Sequence, residues 1–335
     1  MTPPVRHRSD PVTTFKVVPT EYAEYGTPAG LAARMLRLTT DELRELADGR
    51  IPSRQGPDGE LRYEFADVYN LAATAGTGTS VFELGLRFLM RFAAEQPERW
   101  IEERAWRVSI VPPAGQPLSA RALDTGSPQV LDASGHPQEQ SAAGDDEYYD
   151  LGPSGVSYQV RLRGRQDSID SEAVRSEYQR VFSALVEKQV SYQTVPELMR
   201  AEPDLSWDSG VADCVVASRV LANRLTSIGH RARARRGYLL GLLGSDHAWT
   251  EVFEGGRWKQ LDPVAAVLAT NALRPLGFQP HAEFQDACLG WSFNRFLPCR
   301  TSAAEPLILV AGRFAPQWVT CAVSASPLRN GVFAP

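Results

Sequence analysis

A thiol, an imidazole and a carboxylate follow one another between Ala212 and Pro263: Cys214, then His247 after 33 residues, then Asp262 after a further 15. Those are the three parts of an activated cysteine nucleophile, in which the thiolate attacks a carbonyl, the imidazole moves the proton, and the carboxylate orients the imidazole. Local sequence gives each part a place. Cys214 opens a helical pattern in which Ala217, Leu221, Leu225 and Ile228 fall on one face and Gly229 marks the stop. In a helix's first turn the unsatisfied N–H groups and the dipole favour an anion, which suits a thiolate, and Asp213 is placed to cap. His247 begins the strand-like HAWTEVF, and Asp262 closes the strand-like RWKQLD. A turn at Glu254-Gly255-Gly256 joins the two as a hairpin, so antiparallel pairing would bring carboxylate and imidazole side by side.

The same segment resembles the transglutaminase-like superfamily, within the papain-like cysteine enzymes, over residues 170 to 270 or so. The family's DC helix start, GIPAR-like turn, HAW strand and W-x-x-LDP strand read here as ADCVVAS, IGHRAR, HAWTEV and WKQLDP. Ala212 stands where many relatives have Gly, and His230-Arg231 replaces Ile-Pro; neither departure removes a catalytic group. The resemblance implies an α+β fold with a papain-like/transglutaminase-like core, the nucleophile helix packed on an antiparallel sheet. It implies Cys214 as nucleophile, His247 as general base and then acid, and Asp262 as the orienting carboxylate. In the family an oxyanion donor lies just upstream of the Cys or is its own N–H, which brings Trp207 forward. Trp249 is a further candidate for contacting substrate, with packing over the sheet as its bland alternative. The implied activity is acyl-enzyme chemistry on an amide, ester or thioester. Water as acceptor makes that an amidase or peptidase; an amine makes it an amide-forming acyltransferase. The triad leaves both open.

Arg231, Arg233 and Arg235 alternate with Ala232 and Ala234, and Arg236 follows. This run reads as a solvated strand face, or else as a binding site for an acidic substrate or an acidic carrier that delivers an acyl thioester. The other cysteines, Cys288, Cys299 and Cys321, form no CxxC pair, no His/Cys cluster is evident, and no DxDxDG loop occurs. No metal and no cofactor are therefore expected.

The elements that must position these groups fall into five segments: an extended or disordered N-terminus over 1–28, a compact module over 29–75, a helix-plus-β region over 76–165, the catalytic core over 166–275, and a C-terminal packing extension over 276–335. A helical pattern over Ser171–Gln193 precedes a Pro-containing loop that leads to Cys214, and residues 132–155 read as a long surface loop. Within the module, Thr39 caps DELRELADGR, SRQGPDGELRYEF turns at Pro57-Asp58-Gly59, and a helix runs through Asp67, Val68 and Leu71. LADGRIPSRQGPDGELRYEFADV resembles the winged helix modules of the MerR and excisionase type, which puts Arg50, Arg54 and Arg62 forward as contacts to DNA phosphates. Against that, residues 31–64 hold six Arg and no Lys beside seven Asp plus Glu, and the whole chain has a formal charge of −5. A surface without net positive charge lacks the main source of DNA affinity. A docking role is the other reading of the module, the remainder then acting as a sensor. The composition, 43% hydrophobic and 22% charged, is that of a globular chain. With no signal-like start and no long apolar run, the expectation is a cytoplasmic protein with a peptide or small amide or thioester substrate and no membrane.

Overall fold

A computed structural model describes residues 15–74, 80–111, 116–135, 148–152, 154–242, 244–273, 277–310 and 321–324. The chain divides into two compact units, Met1–Leu84 and Gly85–Pro335. Among the described residues no helix is long and apolar enough to cross a membrane.

The first unit runs β1 (Thr27–Pro28), α1 (Ala29–Leu36), α2 (Thr40–Ala47), β2 (Ser53–Gln55), β3 (Leu61–Tyr63) and α3 (Phe65–Thr74). Its small antiparallel sheet has the order β1-β3-β2. Arg37, at φ 57°, ends α1, and Thr39 then caps α2 in a reciprocal capping box with Glu42. Ala32, Leu36, Leu43, Tyr63, Val68 and Leu71 fill its core. The segment before residue 29 is not wholly a loose tail. Thr27 and Pro28 pair with Tyr63 and Arg62, and the Val18 N–H donates to Asp67 Oδ1 at 2.9 Å. Two of the three arginines put forward for DNA are engaged within the unit: Arg62 pairs with Asp58 at 2.6 Å, and Arg54 lies 4.3 Å over the Tyr25 ring.

After α4 (Val81–Met90), the second unit holds α5 (Glu98–Ile101), β4 (Arg104–Ile110), β5 (Leu118–Arg121), β6 (Val130–Ser134), β7 (Tyr148–Asp150) and β8 (Val156–Leu162). Strands β6 and β7 arise where the sequence suggests one loop; residues 136–147 and 153 lie outside the described residues. Next come α6 (Glu172–Val186), β9 (Ser191–Tyr192), α7 (Glu197–Ala201), α8 (Pro203–Asp208), β10 (Val211–Ala212) and α9 (Cys214–Ser227). The helical pattern over 171–193 overshoots, because Lys188 takes φ 57° and the chain then turns into β9, which pairs in parallel with β10. The expected loop before Cys214 is two short helices, with Pro196 just before the first and Pro203 as the first residue of the second, positions where a missing N–H costs nothing.

The chain continues through β11 (Ala232–Leu240), β12 (Gly244–Glu254), β13 (Arg257–Leu261), α10 (Pro263–Leu273), α11 (Phe284–Ala287), β14 (Leu289–Gly290), β15 (Phe296–Pro298), β16 (Ile308–Val310) and β17 (Cys321–Ser324). An antiparallel five-stranded sheet has the order β14-β13-β12-β11-β15, and β17-β4-β8-β6 and β16-β5-β7 form two smaller sheets. The segment after 275 is thus no mere extension: it supplies both edges of the sheet that carries His247. Gly237, opposite His247 in register, allows one of those edges to close. A Cβ there would stand 2.1 Å from the carbonyl oxygen of Leu297 in β15. Trp106, Val108, Leu118, Tyr158, Val160, Leu240 and Leu297 form a shared core for these sheets.

Candidate active site

Cys214 is the first residue of α9, and Asp213 is its cap: Oδ1 accepts the N–H groups of Val215 at 3.0 Å and Val216 at 3.1 Å. At the far end Gly229, at φ 89°, lets the His230 N–H reach Leu225 O and its own N–H reach Thr226 O, the paired bonds of a Schellman stop. Helix and sheet are tied where it matters. Thr250 of β12 donates to the carbonyl of Ser218, one turn beyond the thiol, at 2.8 Å.

His247 lies on β12, 2% exposed, and its Nε2–H donates to Asp262 Oδ2 at 2.6 Å. A carboxylate can only accept, so this bond fixes the proton on Nε2 in the neutral ring and leaves Nδ1 for another partner. The Cys214 thiol lies close enough to the ring to act on its charge. Burial alone would push the imidazole's pKa down. The Asp262 carboxylate, by charge and hydrogen bond, outweighs burial, Cys214 adds to it, and the pKa is carried up to about 10. Asp262 follows the last residue of β13 and is 1% exposed. Its N–H donates to Cys288 O at 2.8 Å, and its Oδ1 accepts the Ala265 N–H at 2.9 Å in the first turn of α10. Phe296 of β15 meets the imidazole edge-on at a centroid distance of 5.1 Å.

Behind the thiol lies a charged cluster. Arg200 of α7 donates through Nε to Asp213 Oδ2 at 2.6 Å and pairs with Glu197. Arg236 of β11, wholly buried, donates to Glu197 Oε1 at 2.7 Å and to Asp246 Oδ1 at 2.9 Å. The cluster therefore joins the residue before Cys214 to the residue before His247. Burial opposes the charge on Glu197, but the two guanidiniums prevail and hold its carboxyl at about 2. Sequence reasoning took Arg236 into a solvated run and passed over Glu197, Arg200 and Asp246. The available signal was that neighbouring residues on a strand point to opposite faces, so Arg235 and Arg236 could not both belong to one solvated side.

The remaining candidates do not gather at the thiol. Trp207 is buried in α8, its ring 5.3 Å from the guanidinium of Arg224 in the last turn of α9. Trp249 is 1% exposed, roughly stacked on His247 at 6.3 Å and 5.3 Å from Phe296, which makes it part of the wall. The arginine run is a solvated face only in part, since Arg231 is exposed and Arg233 half-buried while Arg235 and Arg236 are buried. Arg235 is buried and paired with Asp124, Arg233 pairs with Glu251 at 2.7 Å, and Arg231 lies 4.9 Å over Phe253. Cys288 and Cys299 are fully buried, and burial pushes the Cys288 thiol well up. Among the described residues no group of His, Cys, Asp and Glu could hold a metal ion.

No protein-family model matches this chain, and comparison with curated proteins finds no match. Comparison with solved structures finds a distant likeness to a protein from Cytophaga hutchinsonii, provisionally described as a cysteine protease. The identity is 11% and the TM-score 0.30, over 63% of this chain and 85% of that one.

Proposed function

We propose that this chain performs cysteine-dependent acyl chemistry on an amide, ester or thioester, with Cys214 as nucleophile, His247 as proton carrier and Asp262 as orienting carboxylate. One observation supports the reading: a single buried imidazole is bound to Asp262 through Nε2 and has its charge favoured by the helix-terminal Cys214. The Cys214 sulfur attacks the carbonyl carbon as the thiolate beside a protonated His247, forming the C–S bond as the carbonyl π pair moves onto oxygen. The imidazolium then gives its proton to the departing amine, alcohol or thiol as the bond to the carbonyl carbon breaks. In the second half His247 takes a proton from the acceptor, water or an amine, which attacks the thioester; the thiolate is then released. Asp262 keeps the ring in the productive tautomer and balances its positive charge.

Alkylation by iodoacetamide, with the site of modification mapped by mass, tests this reading. Cys214 should be modified first and His247→Ala should abolish its advantage, while Cys288 and Cys299 stay inert in the folded protein because both are fully buried. Modification of Cys214 no faster than that of a free thiol, and unchanged in His247→Ala, would remove the nucleophile from the proposal.

A further inference from the structure

Charge taken out of water is costly, and an ion network is no more stable than well-packed apolar residues of the same volume in many proteins. The network of Glu197, Arg200, Asp213, Arg236 and Asp246 is therefore better read as fixing a geometry than as adding stability. Arg200 sits at its centre, with its side chain 12% exposed. Its Nε donates to Asp213 Oδ2 at 2.6 Å, its Nη1 pairs with Glu197, and the same Nη1 stands 4.0 Å from Asp246 Oδ2. The guanidinium thus holds the residue before Cys214 and comes near the residue before His247. Its main chain is engaged as well, since the Arg200 carbonyl accepts an N–H of Arg219 from the second turn of α9.

These contacts fix the start of α9 from outside. Asp213 caps the helix with Oδ1, which accepts the Val215 and Val216 N–H groups, so a carboxylate rotated out of that plane would lose the cap. Arg200 on Oδ2 opposes the rotation, and neither side chain has much solvent to turn into. Glu197 carries the link onward to Arg236, which also grips Asp246. Helix α9 and strand β12 are tied on this side by side chains from α7 and β11. The tie ends one residue short of the thiol and one residue short of the imidazole. Charge agrees with geometry: burial would pull Arg200 below the ordinary arginine range, yet Asp213, Glu197, Asp246 and Cys214 together carry it well above.

We infer that Arg200 is a positioning residue for the acyl chemistry: by holding Asp213 and facing Asp246 it sets the approach of the Cys214 sulfur to the His247 ring. The inference rests on the reading of Cys214 as nucleophile. A guanidinium suits the task because its rigid fork addresses two carboxylates at fixed angles, which a single ammonium does not.

The test is single-turnover acylation of the full chain by 4-nitrophenyl acetate at saturating ester, with Cys214→Ser as the blank and the folded fraction of each variant checked by tryptophan emission. Arg200→Met should acylate about 10- to 100-fold more slowly, the loss expected when reacting atoms shift by an ångström or less. Asp213→Asn keeps an oxygen for the cap but surrenders the acceptor for Arg200, so it should be slowed as well. The double variant should be no slower than the slower single variant, because both changes cut one link. A merely structural arginine would lower stability without that coupling in the rate. Arg200→Lys, which keeps the charge and loses the fork, should fall between wild type and Arg200→Met. Should Arg200→Met not fold, a loss of at least about threefold in Arg200→Lys is the supporting result, and a wild-type rate there overturns the inference. A wild-type rate in Arg200→Met, or losses that multiply in the double variant, would overturn it while leaving Cys214 as nucleophile. Wild-type acylation no faster than the Cys214→Ser blank would instead overturn the reading beneath it, and this inference with it.

Discussion

Asp262 holds His247 with one carboxylate oxygen, at 2.6 Å, and the first turn of α10 with the other, at 2.9 Å. Both contacts need an acceptor, and an amide offers only one. Asp262→Asn must therefore either present an N–H to Nε2, which reverses the tautomer, or surrender the Ala265 N–H. Acylation of Cys214 should slow by ~10- to 10³-fold with the fold retained. Single-turnover kinetics with an activated ester measures this. A wild-type rate in Asp262→Asn would show that the carboxylate positions helix α10 and nothing more.

The legible part of this molecule was the part written in local sequence. Helix α9 announced itself through the spacing of Ala217, Leu221 and Leu225 with Gly229 beyond, and the hairpin through Gly255-Gly256, which take φ 60° and 78°. What escaped was set by tertiary partners. Ser191 and Tyr192 leave the helical pattern because Val211 and Ala212 are there to pair with them. The edges of the five-stranded sheet come from strands of two and three residues, β14 and β15, too short to carry a period. Arg236 is wholly buried only because Glu197 and Asp246 converge on it from 39 and 10 residues away. No local window of sequence around Arg236 reaches Glu197.

His247 also sets a pH dependence of stability. Its pKa rises from 6.5 to about 10 on folding, because the Asp262 carboxylate more than reverses the downward push of burial. The folded state thus holds the proton more tightly. The stabilisation is full below pH 6.5 and is lost as pH climbs toward about 10, at about 1.4 kcal/mol per pH unit for one proton. All seven tryptophans follow residue 84, so urea unfolding followed by tryptophan emission reports on the second unit. Wild type should lose stability from pH 7 to pH 9.5, and His247→Gln should show a flatter profile. Parallel profiles would mean that the ring is not charged in the fold.

Asp67 carries a similar dependence in the first unit, centred lower. Burial raises its carboxyl from 3.8 to about 7; the Val18 N–H pulls it down and the charge of Glu64 pushes it up. A raised folded value means stability that is complete below pH 3.8 and is lost as pH climbs from there through about 7. Asp67→Asn keeps an oxygen for the Val18 N–H and removes the charge. At pH 8 it should stabilise residues 15–74 by ~1–3 kcal/mol, with little effect at pH 4. Hydrogen exchange of that segment, corrected for intrinsic rates, reads the difference. Equal protection at both pH values would mean that Asp67 is solvated well enough to stay ionised.

Glu197 is the shared carboxylate between Arg200 and Arg236, and its removal probes the cluster behind the thiol. Glu197→Gln leaves Arg236, wholly buried, with Asp246 as its remaining hydrogen-bonded carboxylate, and Arg200 with Asp213. Losing one member of a buried ion network costs ~3–5 kcal/mol, because the other charges stay buried and underpaired. Acid should copy the mutation. The Glu197 carboxyl, held at about 2 in the fold against 4.5 ordinarily, stabilises fully above pH 4.5 and less as pH falls toward 2. The two treatments should not add: lowering the pH from 5 to 3 should destabilise wild type more than Glu197→Gln, by urea unfolding monitored through tryptophan. The variant should also acylate more slowly at pH 7, because Arg200 holds the Asp213 cap of Cys214 and Arg236 holds Asp246, next to His247. A variant that is less stable yet acylates at the wild-type rate would assign the cluster to folding alone.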